Sequence, residues 1–383
     1  MSYKGMVDMN EKEVQLLLEE LEFTKKGIEN TINENGYIRF PNDFTVFEYG
    51  KNGELNNEFL CYTPNLPSIL KNKKEDIAIV SGIGATNAPT MGTMSEILKI
   101  LDAQKKTGIY TYFIINDFGS INARSMSVKR ILLLTERYKK FIRKLGFDEK
   151  AGRICLHNNI DHARTFSLIS RMIKLQDFSN NTEATDTTYD RLKLRGSDFS
   201  VLLDHVYTAT DVLLPIIKDR KKGIVVICGL DEFYHANIGG IALERMKEDP
   251  DLKSLIPENV SVGAIYSRIV SGLHPYFKQS KSIPDSSINL GQSEETISKL
   301  ILQTSEINEI VILEMIQLAS GWPIEAIKKA EKAFKKRQTS SAEWVESKKK
   351  YLETVLSMKR VWDSSEFKDS DIHDLIFKDS NDE

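Results

Sequence analysis

The sequence predicts an α/β fold: a doubly wound parallel sheet with a C-terminal α-helical domain and a small N-terminal extension. Three observations carry this. Between Ile77 and Tyr266, short unbroken apolar runs alternate with stretches of helical periodicity. Such runs are what strands buried on both faces show. The runs end in loops holding Gly, Asn or Asp, which punctuate strand exits. From Ser293 onward only helical spacings remain. At 383 residues the chain is long enough for two or three domains.

Residues 1–74 form the extension. Glu11 to Ile32 sets Val14, Leu17, Leu18, Leu21, Ile28 and Ile32 at helical spacing. Tyr37–Phe40, Thr45–Tyr49 and Phe59–Tyr62 read as strands around a Gly50-Lys51-Asn52-Gly53 turn. A packing module and a flap over a site mouth both fit this stretch.

Residues 75–292 form the sheet domain. Its strands are Ile77–Val80, Tyr110–Ile115, Arg153–Leu156, Gly223–Cys228 and Val260–Tyr266. Helices are expected at Thr93–Gln104, Ile131–Leu145, His162–Leu175, Ser200–Ile217 and His235–Lys247. The stretch near 176–199 is polar and reads as a mobile insertion. Residues 293–362 form the helical domain, with helices at Glu295–Leu302, Ile307–Ser320 and Ile324–Arg360. Gly321-Trp322-Pro323 punctuates them. Residues 363–383 are an acidic, Ser/Asp-rich tail, expected to fray.

Hydrophobic residues make up 41% and charged residues 28%, an ordinary globular balance. The net charge of -3 excludes an overall basic field, so any nucleic-acid contact needs a local patch. Cys61, Cys155 and Cys228 have no paired spacing and read as reduced core residues. No apolar run approaches the roughly 20 residues of a membrane span. The N-terminus lacks signal-peptide regions, so the expected compartment is the cytosol with no membrane partner. The six histidines are scattered, and none has metal-ligand spacing. His157 and His162 read as flanks of a strand-to-helix turn.

The chemistry concentrates in Lys278-Gln279-Ser280-Lys281-Ser282, continuing into Ile283-Pro284-Asp285-Ser286-Ser287-Ile288. Two lysines and two hydroxyls in so short a loop suit a polyphosphate leaving group, because ammonium groups stabilise charge gathering on phosphate oxygens. A solvated loop would have the same composition. Upstream, Gly82 and Gly84 lie in the loop after the first strand, and Thr90-Met91-Gly92-Thr93 opens a helix. Helix-start amides attract phosphate, and a glycine lets a ligand approach the backbone. Thr93 and Gly92 also fit a plain cap and turn. The fourth strand exits at Gly229-Leu230-Asp231-Glu232.

The lysine loop resembles the Lys-Met-Ser-Lys-Ser loop of class I aminoacyl-tRNA synthetases. Pro284-Asp285-Ser286-Ser287-Ile288 is similar to the segment just past that loop in the tryptophanyl/tyrosyl subgroup. Thr90-Met91-Gly92-Thr93 is similar to that subgroup's Thr-Ile-Gly-Asn variant, without either histidine of the commoner form. Gly229-Leu230-Asp231-Glu232 resembles Gly-x-Asp-Gln, with glutamate for glutamine. Asp204 to Asp211 falls where tyrosyl enzymes carry Tyr-x-x-x-Gln-x-x-Asp. There Asp211 matches the aspartate, while Asp204 and Thr208 replace the tyrosine and glutamine. The resemblance covers roughly Ile77 to Ile301 and implies a Rossmann-like catalytic domain.

It implies activation of an amino acid, tryptophan or tyrosine favoured, by ATP with Mg²⁺, then transfer to tRNA. Thr90, Thr93, Lys278 and Lys281 would be catalytic. Gly82, Gly84, Gly92, Gly229, Asp231, Ser280 and Ser282 would bind ATP. Val80, Asp117, Thr208, Asp211 and Glu232 would bind the amino acid. No protein-held metal is expected. A paralogue passing the adenylate to a small-molecule or peptide amine is the alternative, as is a weakly catalytic nucleotide- or RNA-binding regulator. The resemblance also implies a homodimer through Leu156 to Lys174, using Phe166, Leu168, Ile169, Met172 and Ile173. The tRNA would meet a basic face of Lys328, Lys332, Lys335 and Lys336, with Lys348, Lys349 and Lys350 beyond it.

Overall fold

The structure, a computed structural model, describes residues 29–40, 59–178, 198–281, 283–337, 341–367 and 370–377. The expected strand at Thr45–Tyr49, the polar insertion and Ser282 lie mostly or wholly outside these residues. Seven strands form one sheet: β1 (Ile38–Arg39), β2 (Phe59–Tyr62), β3 (Ile77–Gly84), β4 (Tyr110–Asn116), β5 (Gly152–Leu156), β6 (Gly223–Gly229) and β7 (Ser261–Ser267). The spatial order is β1-β2-β7-β6-β3-β4-β5. β3 pairs in parallel with both β4 and β6, and β5 and β7 extend the parallel set outward. β1 and β2 add antiparallel to the β7 edge, so the N-terminal extension continues the central sheet.

The apolar runs are strands because both faces are covered. Every residue of β6 is buried. One face packs against α1 (Met91–Thr107), α3 (Val128–Lys144) and the C-terminal helices; the other meets α5 (Asp198–Asp219) and α6 (Tyr234–Glu248). The short α2 (Phe118–Ala123) follows β4, and α4 (Ile160–Ser170) follows β5. α1 starts at Thr90, whose Oγ1 accepts from Thr93 N, and ends at Gly108 in the left-handed region, φ 60°.

Among the described residues, Phe199–Asp219 within α5 is long and apolar enough to cross a membrane. Yet 61% of its apolar window is buried inside the fold, and it carries Asp204 and Asp211. It is a core helix, and its Asp204, Thr208 and Asp211 line the cleft described below.

The C-terminal helices are α7 (Glu294–Leu302), α8 (Glu309–Ala319), α9 (Ile324–Lys335) and α10 (Ala342–Asp363). They share one hydrophobic cluster with β3 and α1: Ile79 and Ile97 belong to it, as do Ile312, Val355 and Trp362. The expected single helix over Ile324–Arg360 is two helices. The first ends at Lys335 and the second begins at Ala342, and the sequence between them holds Thr339-Ser340-Ser341, residue types that compete with helix by bonding their own backbone. The break reorients α10, so Lys348 is buried, 4% exposed, with Nζ 2.8 Å from Glu309 Oε1. It is no part of a basic face. Lys328, Lys332 and Lys335 on α9 and Lys336 at its C-terminal cap are exposed, while Ile327, Ala330 and Ala333 face inward.

The tail does not simply fray. α11 (Ile372–Phe377) returns to the sheet domain, where Asn158 Nδ2 donates to Ile376 O at 2.7 Å. On the way, Lys144 Nζ donates to Ser364 O at 2.6 Å and Lys140 sits over the Phe367 ring. At the start of the tail, Arg137 of α3 lies 3.5 Å from Asp363 Oδ1.

Candidate active site

The chain runs β3, β4, β5 outward on one side, then returns to lay β6 and β7 on the other. The crevice at the carboxyl ends of β3 and β6 is the switch point where doubly wound sheets bind ligands. One cleft opens there, and sequence-distant stations meet in it. Its wall holds Val80, Gly82 and Gly84 from β3, Thr90, Gly92 and Thr93 from the start of α1, and Thr208 and Asp211 from α5. Gly229, Asp231 and Glu232 come from the β6 exit, and Lys278, Ser280 and Lys281 from the lysine loop. Among the described site residues expected from sequence, only Asp117 is missing from the wall.

Asp117, expected against the substrate, is instead structural. It is 1% exposed, and its Oδ1 accepts from His157 N at 2.8 Å. It ties the β4 exit to the β5 exit. Its neighbour Asn116 reaches the cleft and donates from Nδ2 to Asp204 Oδ1 at 3.0 Å.

The lysine loop is docked. Gln279, 9% exposed, accepts from Met91 N at 3.0 Å and so fastens the loop to the α1 start. Its two lysines point to opposite walls. Lys278 Nζ lies 2.7 Å from Asp231 Oδ2. Lys281 Nζ donates to Gly84 O at 2.5 Å, and Asn87 Nδ2 donates to Lys281 O at 3.1 Å. One cation is therefore held at the β6 exit and the other at the end of β3. Burial lowers the Lys281 pKa to about 8, against an opposing pull from Glu232. The ammonium is charged below that value and neutral above it. Pyrophosphate exchange measured as kcat/KM for ATP should therefore fall as pH rises through about 8.

At the inner end, burial raises the Asp211 carboxyl, but His157 and His162 against it lower it further, for a net shift down. It stays an anion. The cleft lining also includes apolar Val80, Ile114, Val212 and Val226 beside polar Asn116, Asp204 and Thr208.

The family model described as tRNA synthetases class I (W and Y) matches residues 71–363. The chain belongs to this family. Solved structures agree on the fold. A tryptophanyl-tRNA synthetase from Encephalitozoon cuniculi bound to tryptophan is 19% identical, with a TM-score of 0.64 over 92% of this chain and 99% of that one. A tryptophanyl-tRNA synthetase homolog from Entamoeba histolytica is 12% identical, with a TM-score of 0.66 over 88% and 92%. A tyrosyl-tRNA synthetase from Archaeoglobus fulgidus complexed with L-tyrosine is 17% identical, with a TM-score of 0.56 over 78% and 93%. Among curated proteins, none matches the sequence.

Within this class I fold, sequence reasoning missed several cleft residues. Glu96 lies one turn past Thr93; its Oε1 accepts from Lys99 Nζ at 2.9 Å and from Ser267 Oγ at 2.7 Å. Arg124 and Arg268 also line the cleft. Helical spacing from Thr93 could have found Glu96, but nothing local marks the arginines. His157 and His162 do flank the β5-to-α4 turn, and they also converge on Asp211 from a distant helix.

Proposed function

We propose that the chain activates an amino acid with ATP and transfers it to tRNA, with tryptophan or tyrosine as the favoured substrate. One observation supports this most. Two lysines from one loop, two threonines from a helix start and an aspartate from a strand exit surround a single cleft. The substrate carboxylate would attack the α-phosphorus of ATP in line, releasing pyrophosphate. The protein positions groups and stabilises charge.

Each residue has a role in this reading. Thr90 and Thr93 donate hydroxyls to phosphate oxygens. Gly82, Gly84 and Gly92 let the nucleotide lie against backbone, with Gly229 at the β6 exit. Asp231 accepts from ribose hydroxyls, which requires Lys278 to leave it and turn to phosphate. Lys281 and Lys278 then neutralise the departing pyrophosphate, with Ser280 and Ser282 donating beside them. Val80, Thr208, Asp211 and Glu232 shape the amino-acid end. The cleft places Lys278, Lys281, Arg124 and Arg268 among scattered carboxylates rather than a carboxylate cage. That fits Mg²⁺ entering with the triphosphate, held largely by phosphate oxygens, where it supplies charge neutralisation.

Chemistry would belong to residues 75–292 and tRNA contact to residues 293–362. Three free, buried cysteines suit the cytosol. A homodimer is part of the reading, though the expected stripe is split. Ile169 and Met172 are core, while Ile160 is 60% exposed on the same segment and Leu175, one residue past it, is 76% exposed. Light scattering at micromolar concentration should give twice the chain mass; a monomer would remove the dimer.

A second reading has its own support. Thr90 and Thr93 stand where most relatives of this class would carry histidines, and Asp204, Thr208 and Glu232 alter the substrate end. These suit a paralogue passing the adenylate to a small-molecule or peptide amine. Incubation with ATP, tryptophan or tyrosine, and total tRNA separates the two. Charged tRNA is expected; adenylate without charging would favour the paralogue.

A further inference from the structure

Behind the inner end of the cleft, two histidines meet one aspartate. His157 follows β5, His162 lies in the first turn of α4, and Asp211 projects from α5. His157 Nε2 is 3.0 and 3.2 Å from the Asp211 carboxylate oxygens, and His162 Nε2 is 3.1 Å from Oδ1. Both histidines are 1% exposed. Asp211 also lines the cleft.

His157 is fixed on every side. Its main-chain N–H donates to Asp117, its ring stacks on Tyr207 with centroids 4.3 Å apart, and its Nδ1 accepts from Gly119 N at 3.3 Å. A neutral imidazole carries one proton. With Nδ1 accepting, that proton sits on Nε2 and points at Asp211. The three ligand atoms lie within 4.8 Å of one another, a separation that would also suit a metal ion. A metal on Nε2 would force the proton onto Nδ1, against the Gly119 N–H. The hydrogen-bonded arrangement is the one the surroundings fit.

We propose that His157 and His162 are positioning residues for Asp211. They clasp the carboxylate, Oδ1 through both rings and Oδ2 through His157 at 3.2 Å, and fix its plane, so that the remaining lone pair on Oδ2 is a fixed acceptor for a donor at the far end of the substrate side chain. This rests on the reading of the cleft as an amino-acid pocket. A carboxylate held in advance loses no side-chain freedom when substrate arrives, and rejects a side chain that would leave it unpaired. The pair therefore acts on selectivity and KM, not on the phosphoryl step.

The test is amino-acid-dependent pyrophosphate exchange with matched substrates: tyrosine against phenylalanine, and tryptophan against benzothienylalanine, in which sulfur replaces the indole N–H. His157→Leu should lower the kcat/KM preference for the donor-bearing member by about tenfold or more, mainly through its KM. His157→Gln keeps an N–H directed at Asp211 and should restore most of the preference. His162→Leu should act in the same direction. A purely structural role would depress both members of each pair alike. If His157→Leu does not fold, the His162→Leu and His162→Gln pair carries the same comparison. Nitrogen NMR of the wild-type imidazoles should show His157 protonated on Nε2. An unchanged preference in the Leu variants would overturn the proposal, as would a stoichiometric zinc ion retained by the wild type and lost in Asp211→Asn. Absence of exchange with every amino acid would instead defeat the reading of the cleft, and this role with it.

Discussion

Lys281→Met is expected to slow amino-acid-dependent pyrophosphate exchange about a hundredfold, a loss of about 3 kcal/mol of transition-state stabilisation. The wild-type ammonium is enclosed beside Gly84, which the structure makes the last residue of β3 and not part of a loop. A cation in such a place gains most when charge builds on the leaving group, so the loss falls on the chemical step. Amino-acid affinity, measured by calorimetry without ATP, should change little, because Val80, Thr208 and Asp211 form another part of the cleft. Lys278→Met should cost less. Its removal also frees Asp231 from an ion pair that ATP must otherwise break. Wild-type exchange in Lys281→Met would make the loop solvated surface and nothing more.

The second large effect concerns RNA. Lys328, Lys332 and Lys335 on α9 and Lys336 at its C-terminal cap lie three and four residues apart, so they share a face, and all four are exposed. The opposite face, Ile327, Ala330 and Ala333, is buried against the helical domain. Replacing the four lysines by glutamate should abolish measurable tRNA binding at moderate salt. Each lost phosphate contact removes about 0.9 from the slope of log affinity against log salt, so the slope should flatten by up to about 3 to 4. Pyrophosphate exchange should stay near wild type, since the face lies outside the cleft. Unchanged tRNA affinity would show that these lysines are a solvated face.

Much of the sheet domain is legible because its strands carry local signals. Ile77-Ala78-Ile79-Val80 and Gly223 to Cys228 are unbroken apolar runs, and they are neighbouring parallel strands in the fold. The start of the helix at Thr90 is legible only to within a few residues: the sequence fits a cap at Thr93, whereas the structure caps the helix with Thr90, whose Oγ1 accepts from Thr93 N. The parts that stay hidden depend on contacts far apart in sequence. Asp117 looks like a substrate contact from its place at a strand end, but His157, 40 residues on, claims its oxygen. Gln279 looks like one more polar loop residue until Met91, 188 residues upstream, donates to it. The α9–α10 break is visible in principle, since Thr339-Ser340-Ser341 disfavour helix, but the long apolar periodicity on either side masks it. Lys348 is hidden for the same reason: its burial against Glu309 depends on the break, not on its own sequence neighbours.

The most direct test of the proposed activity is ATP–pyrophosphate exchange across the full set of amino acids with the purified chain. The expected result is exchange that requires an amino acid, is strongest with tryptophan or tyrosine, and vanishes when that amino acid is omitted. ATP binding with no exchange for any amino acid would contradict it and leave a nucleotide-binding relative that has lost the activation step.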